Sequence, residues 1–176
     1  MKILVASDLH GSALYTSQLL TRIKAECPCR VILLGDLLYH GPRNDLPDGY
    51  APKEVIKQLS SLSPVPLCVR GNCDTEVDQM VLPFPILADY AVLLWEGRTI
   101  YCTHGHRPPP PLAPGDILLC GHTHVPLAET RNDYLYLNCG SVSIPKENSP
   151  RSYLILDKDS AVWKDLRGNP FMQHSL

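Results

Sequence analysis

Five short apolar runs in this 176-residue chain each break off at residues able to hold a cation or move a proton. "KILVAS" (2–7) runs into "DLHG", "RVILLG" (30–35) into Asp36, and "VPLCVR" (65–70) into "GNCD". "TIYC" (99–102) runs into "THGH" and "DILLC" (116–120) into "GHTH". Continuous apolar stretches this short, bounded by turn formers, read as strands buried on both faces. Ligands in open α/β sheets bind at the carboxyl ends of the strands. One edge of the fold is therefore expected to gather Asp8, His10, Asp36, Asn72, His104, His106, His122 and His124.

The connections suggest how the strands are covered. Ser12 suits the cap of a helix running to about Glu26, with Leu19, Leu20 and Ile23 facing inward. With its flanking strands this helix makes a βαβ unit. Pro52 suits the first position of a second helix, whose apolar stripe is Val55, Ile56, Leu59 and Leu62. Beyond the third strand the pattern changes to short strands near 90–95, 99–103, 116–120, 126–130, 133–137, 152–157 and 161–166. Helices early and hairpins late predict an α/β sandwich, two sheets packed together with helices outside. "RPPPPLAPG" (107–115) reads as a proline-stiffened surface loop inside one domain spanning 1–176, because strand-like segments flank it closely.

Apolar content of 44% and charged content of 19% belong to a folded chain. A net charge of −2 without a basic block lacks the electrostatic footprint of a dedicated nucleic-acid binder, while leaving small phosphate esters open. The N-terminal apolar run ends too soon at Ser7 and Asp8 for a signal peptide, and no stretch reaches membrane-spanning length, so a cytoplasmic location is expected. Seven cysteines form no paired Cys-x-x-Cys knuckles, which argues against a structural zinc site. Those inside apolar runs read as small buried hydrophobes in a reducing compartment.

An aspartate after a strand is ordinarily a turn residue or helix cap. "GHTH" is more specific, since on an extended segment His122 and His124 point to the same side about 7 Å apart. Five turns choosing Asp, Asp, Asn, His and His-x-His together point to metal binding. A mixed oxygen and imidazole set favours Mn, Fe, Zn or Ni over Ca or Mg. Seven ligands are too many for one ion and suit two.

The ordered series D-x-H, GD, GN-x-D, GH and GHTH resembles the calcineurin-like metallophosphoesterase superfamily. The segments "HGPRN", "GNCD", "HGH", "GHTH" and "GSVSIPK" are similar to those of the bacterial YfcE-type phosphodiesterases, from Lys2 to about Tyr153. The resemblance implies a four-layer αββα sandwich of two mixed β-sheets flanked by helices. It implies that Asp8, His10 and His124 bind one divalent ion, Asn72, His104 and His122 a second, and that Asp36 bridges them. Hydrolysis of a small phosphodiester by a metal-bridging hydroxide would follow, with Asp36 and Asn72 central to catalysis. Manganese is the ion the resemblance suggests, with Zn2+, Fe2+ and Ni2+ as alternatives. Membrane association is not expected, and a homo-oligomer stays open. Two other readings share the pattern: a phosphomonoesterase, and a non-catalytic scaffold such as the retromer subunit of this fold.

Departure of the leaving group is the open question. In many relatives the residue after the metal-binding asparagine is a histidine; here it is Cys73, whose thiol is a weak hydrogen-bond donor. Cys73 is either a weak proton donor or pocket-wall packing, and packing is favoured. His106 is the other candidate for phosphate contact or proton transfer, or else it supports a ligand. Without a strong acid the enzyme is expected to prefer aryl leaving groups. The "HGPRN" loop offers His40 and Arg43 as substrate contacts, with a surface ion pair as the competing role for Arg43. Asp74 either orients a neighbouring ligand or is a plain turn carboxylate. "NCGSVSIPK" (138–146) is expected to border the site, with backbone donors near Gly140 and Ser141.

Overall fold

The computed structural model describes residues 2–176. β1 (Ile3–Ala6) and β2 (Arg30–Leu33) pair in parallel across helix α1 (Ala13–Glu26), giving the expected βαβ unit. Ser12 caps α1 by accepting the Tyr15 N–H, and Cys27 ends it in the left-handed conformation. Helix α2 (Pro52–Ser60) starts on its proline and buries Val55 and Leu59. Strand β3 pairs over only Leu67–Cys68, shorter than the run 65–70 suggests. The Val69 N–H still reaches Leu33 O, but Arg70 N–H turns away to Ala88 O, so the chain leaves the sheet there. A six-residue helix, α3 (Glu76–Val81), follows and was not visible as a stripe because it buries none of its residues. A reciprocal cap between Thr75 and Asp78 holds its start.

The remaining strands are β4 (Ala91–Trp95), β5 (Arg98–Cys102), β6 (Ile117–Cys120), β7 (Leu127–Arg131), β8 (Tyr134–Asn138), β9 (Ser152–Asp157), β10 (Ser160–Asp165) and β11 (Pro170–Ser175). They form two mixed sheets, ordered β11-β10-β9-β1-β2-β3 and β4-β5-β6-β8-β7. Alternation along β1 and β2 explains why their sequences are apolar throughout. Ile3, Val5 and Ile32 pack into a core between the sheets with Ile100, Ile117, Leu119, Leu137 and Trp163. Leu4, Ala6, Val31 and Leu33 pack on the other face with Leu19, Val55 and Leu59 of the helices. Each such side chain contributes roughly 1.5–3 kcal/mol over its exposed state.

The outer face of the second sheet is covered differently. Leu118, Cys120 and Tyr136 pack there against Leu112 of the proline-rich segment, and among the described residues no helix occurs between β4 and β11. Prolines at 108–111 and 114 remove the donors a helix would need. The two sheets and the helices on the first are as expected, while the fourth layer is a loop. β1, β2 and β3 run parallel, as do β5 and β6, so within each sheet the chemistry-bearing turns emerge at one end.

Candidate metal centre

The turns that carry the candidate ligands are conformationally costly. Asp8, His10, Asp36, His122 and His124 all have positive φ, between 45° and 66°, half of the non-glycine residues that do so among those described. Each such residue costs of order 1–3 kcal/mol and persists only where its surroundings over-determine it. Those surroundings are visible. Ser141 Oγ and Ser143 Oγ each donate to the Asp8 carbonyl at 2.9 Å. The serine hydroxyls of "GSVS" thus brace the Asp8 turn, and of the expected backbone donors the Gly140 N–H bonds Asn138 Oδ1. The turns also approach closely at glycines. A Cβ on Gly71 would strike Asp36, and one on Gly121 would strike Ser7 Oγ and Asp8 Oδ2.

The histidine tautomers follow from their partners. Nδ1 of His10 faces Tyr39 O at 2.9 Å, that of His104 faces Leu34 O at 2.6 Å, and that of His124 faces Ile144 O at 2.5 Å. A carbonyl can only accept, so each Nδ1 carries hydrogen and, in the neutral ring, each Nε2 presents a lone pair. His10 Nε2 and His124 Nε2 converge to 3.2 Å, and Asp8 Oδ1 lies 3.2 Å from the latter. Asp8 Oδ1 is buried with no hydrogen-bond donor among the described residues. His104 Nε2 meets Asn72 Oδ1 at 3.1 Å and Asp36 Oδ2 at 3.4 Å. Lone pairs facing lone pairs and an orphaned carboxylate oxygen fit a divalent cation. The chemistry of the donors, carboxylate with imidazole, suits a transition metal.

Electrostatics express the same convergence. Burial penalises charge on Asp8, but His104, His10 and His124 together hold its carboxyl well below the ordinary range. Burial also opposes the charged form of His104, yet Asp8 and Asp36 raise it to about 9. Asp36 Oδ2 stands between the two imidazole sets, 3.7 Å from His10 Nε2 and 3.4 Å from His104 Nε2. His122 donates its backbone N–H to Asp8 Oδ2, and its ring lies 5.0 Å from that of His104.

Asp74 has a defined place that the sequence left between two readings. It is buried, and its carboxylate accepts from the backbone N–H groups of Asp36 and Gly71 through Oδ2 and of Leu37 through Oδ1. It therefore ties the Asp36 turn to the Asn72 turn. Burial, with the Asp36 charge nearby, lifts it to about 6 despite those donors. Cys73 donates its own N–H to Asp36 Oδ1 at 2.8 Å, and its thiol is buried. Burial and the Asp36 charge push that thiol far up, so it stays protonated.

Outside this cradle lies a cavity of about 380 Å³ lined by Asp36, Asn72, His122, Thr123, His124, Arg43, Asn44 and Lys146. Arg43 makes no ion pair among the described residues and is exposed at this rim. Lys146 is a cation that the sequence reasoning missed; it ends "GSVSIPK", where its N–H to His124 O at 3.3 Å fixes the loop beside the site. His106 sits beside the ligands, its ring 5.4 Å from His104 and 6.1 Å from His122, and burial with neighbouring His104 lowers its pKa. His40 goes elsewhere: its ring packs edge-on between Tyr39 and Tyr50, at 4.8 and 5.3 Å, outside the cavity lining.

This combination of fold and site has counterparts. Residues 1–161 match the Calcineurin-like phosphoesterase superfamily domain, and the chain belongs to that superfamily. Within it the chain is of the YfcE type: it is 46% identical to the phosphodiesterase YfcE of Escherichia coli K12, over 90% of this chain and 89% of that protein. The solved structure of the E. coli phosphoesterase superposes with a TM-score of 0.95 at 43% identity, covering 99% of both chains. Vacuolar protein sorting 29 from Cryptosporidium parvum shares the fold alone, at a TM-score of 0.66 and 20% identity over 99% of this chain and 98% of that one. Among the described residues no helix is long and apolar enough to cross a membrane.

Proposed function

We propose that this chain is a metal-dependent phosphoric diester hydrolase working through a dinuclear centre. The observation that carries the reading is the Asp36 carboxylate, placed between His10 on one side and His104 on the other. Asp8, His10 and His124 would hold one ion, Asn72, His104 and His122 the other, and Asp36 both. Two divalent ions held there, manganese in this reading, would lower the pKa of water and offset charge on the phosphoryl oxygens. The chain's own part is preorganisation. Nδ1–H bonds to backbone carbonyls fix three imidazoles before substrate arrives, and Asp74 holds two ligand turns in register. Asn72 contributes a neutral oxygen, which limits negative charge where an anion must bind. Arg43 and Lys146 line the opening and would pair with the phosphate oxygens.

The buried Cys73 thiol holds its proton too tightly to protonate an alkoxide, and the lowered pKa of His106 leaves its imidazole neutral, with no acidic proton to give. The substrate is therefore a small diester with an acidic, aryl-type leaving group. A cytoplasmic location suits the chain's seven free cysteines, which a reducing compartment would keep unpaired. The test is hydrolysis of bis(p-nitrophenyl) phosphate and p-nitrophenyl phosphate with manganese, beside a chelator-treated control. Manganese-dependent turnover favouring the diester is expected; no metal-dependent turnover of either would overturn the reading. A series of aryl diesters adds the leaving-group dependence, which should be steep.

A further inference from the structure

Beside the metal cavity lies a second one of about 350 Å³, which shares Arg43, Asn44 and Asn72 with it. Its own walls are Tyr39, Gly41, Pro42, Cys73 and Thr75, without a carboxylate or an imidazole. Several polar atoms of these walls are already engaged. Tyr39 O accepts from His10 Nδ1, Thr75 Oγ1 donates to Asp78 Oδ2 at 2.9 Å, and Asn72 Nδ2 donates to Cys73 Sγ at 3.2 Å. Gly41, at φ 80°, lies flat against the thiol, where a Cβ would come within 3.1 Å of Cys73 Sγ. Among these walls a guest meets Tyr39, which is 42% exposed, a proline ring and a polarisable thiol. Surfaces of this kind favour a planar aromatic group by stacking and area burial. The volume lies in the range of small-molecule sites.

We propose that this cavity takes an aromatic ester substituent of the substrate, with Tyr39 and Pro42 as the residues that set specificity. The proposal rests on the phosphodiesterase reading and adds where the organic part of the ester sits. A phosphoryl group held in the metal cavity would have one ester arm directed across Arg43 and Asn72 into the second cavity. Cys73 then serves as a wall of that arm's pocket, which gives its burial a role in recognition.

The test is calorimetric titration of the manganese-loaded protein with methylphosphonate and with phenylphosphonate, which share an anionic head and differ in the ring. Phenylphosphonate should bind at least ~10-fold more tightly. Tyr39→Ala removes the ring wall and Pro42→Trp fills the cavity; each should bring the ratio close to one while methylphosphonate binding stays within about twofold of wild type. Equal binding of the two probes to the wild-type protein, or a preference for phenylphosphonate that survives both substitutions, would overturn the cavity assignment alone. Failure of both probes to bind would overturn the phosphate-ester reading beneath it, and the assignment with it.

Discussion

Asp8, His10, Asp36, His104 and His124 are no more than 3% exposed, and hydrogen bonds from other loops support their side chains or backbone turns. At the rim of the cavity Arg43 and Lys146 are exposed, and no ion pair holds either cation among the described residues. The inner set is built at a cost in strained φ angles and buried charge; the outer set is left adjustable. This difference separates two tasks. Holding divalent ions demands fixed geometry, whereas admitting and releasing an anionic ester demands side chains that can move.

Substitutions can break the contrast, beginning at its centre. Asp36→Asn should lower kcat/KM by more than the ~10–100-fold typical of residues that only orient ligands, and should weaken manganese binding in the same measurement series. A wild-type rate and metal content would show that Asp36 is not the bridge. Asp74→Ala strands three buried N–H groups at roughly 1–3 kcal/mol each, so urea unfolding should report a large loss of stability together with weaker metal binding. Asp74→Asn, which keeps an acceptor, should recover part of both.

The outer set should respond differently. Arg43→Ala and Lys146→Ala should each raise KM for bis(p-nitrophenyl) phosphate by about tenfold, the scale of one lost charged hydrogen bond, with bound manganese unchanged. Loss of metal in either variant would erase the distinction between holding the ions and receiving the substrate. Smallest of all, Cys73→Ser should change activity on aryl diesters by less than about threefold, because a wall hydroxyl replaces a wall thiol. A much larger loss would assign the thiol a direct chemical role.

The convergence of the candidate ligands was legible because each follows an apolar run, and a strand end fixes a residue's position more tightly than a long loop does. The α1 boundaries were readable for a similar reason, with Ser12 capping and Leu19 facing the core. Asp74 was not readable, since two of its three partners lie 37 and 38 residues away and its spacing from Asn72 matches an ordinary turn. Lys146 arrives from a loop whose path depends on hydrogen bonds to His124, Ser7 and Asp8, all distant in sequence. Helix α3 buries nothing, and β11 is an edge strand of mostly exposed residues, so neither leaves an apolar period to detect. The packing of His40 was not readable, because "HGPRN" fixes its nearness in sequence to Asp36 but not its contacts with the rings of Tyr39 and Tyr50.

Everything above turns on whether the buried cradle holds two ions. Equilibrium dialysis against manganese followed by metal analysis measures this directly. The account predicts two ions per wild-type chain at saturation, and fewer than two for Asp36→Asn at the same free concentration. A wild-type chain that saturates at one ion, or binds none, would contradict it.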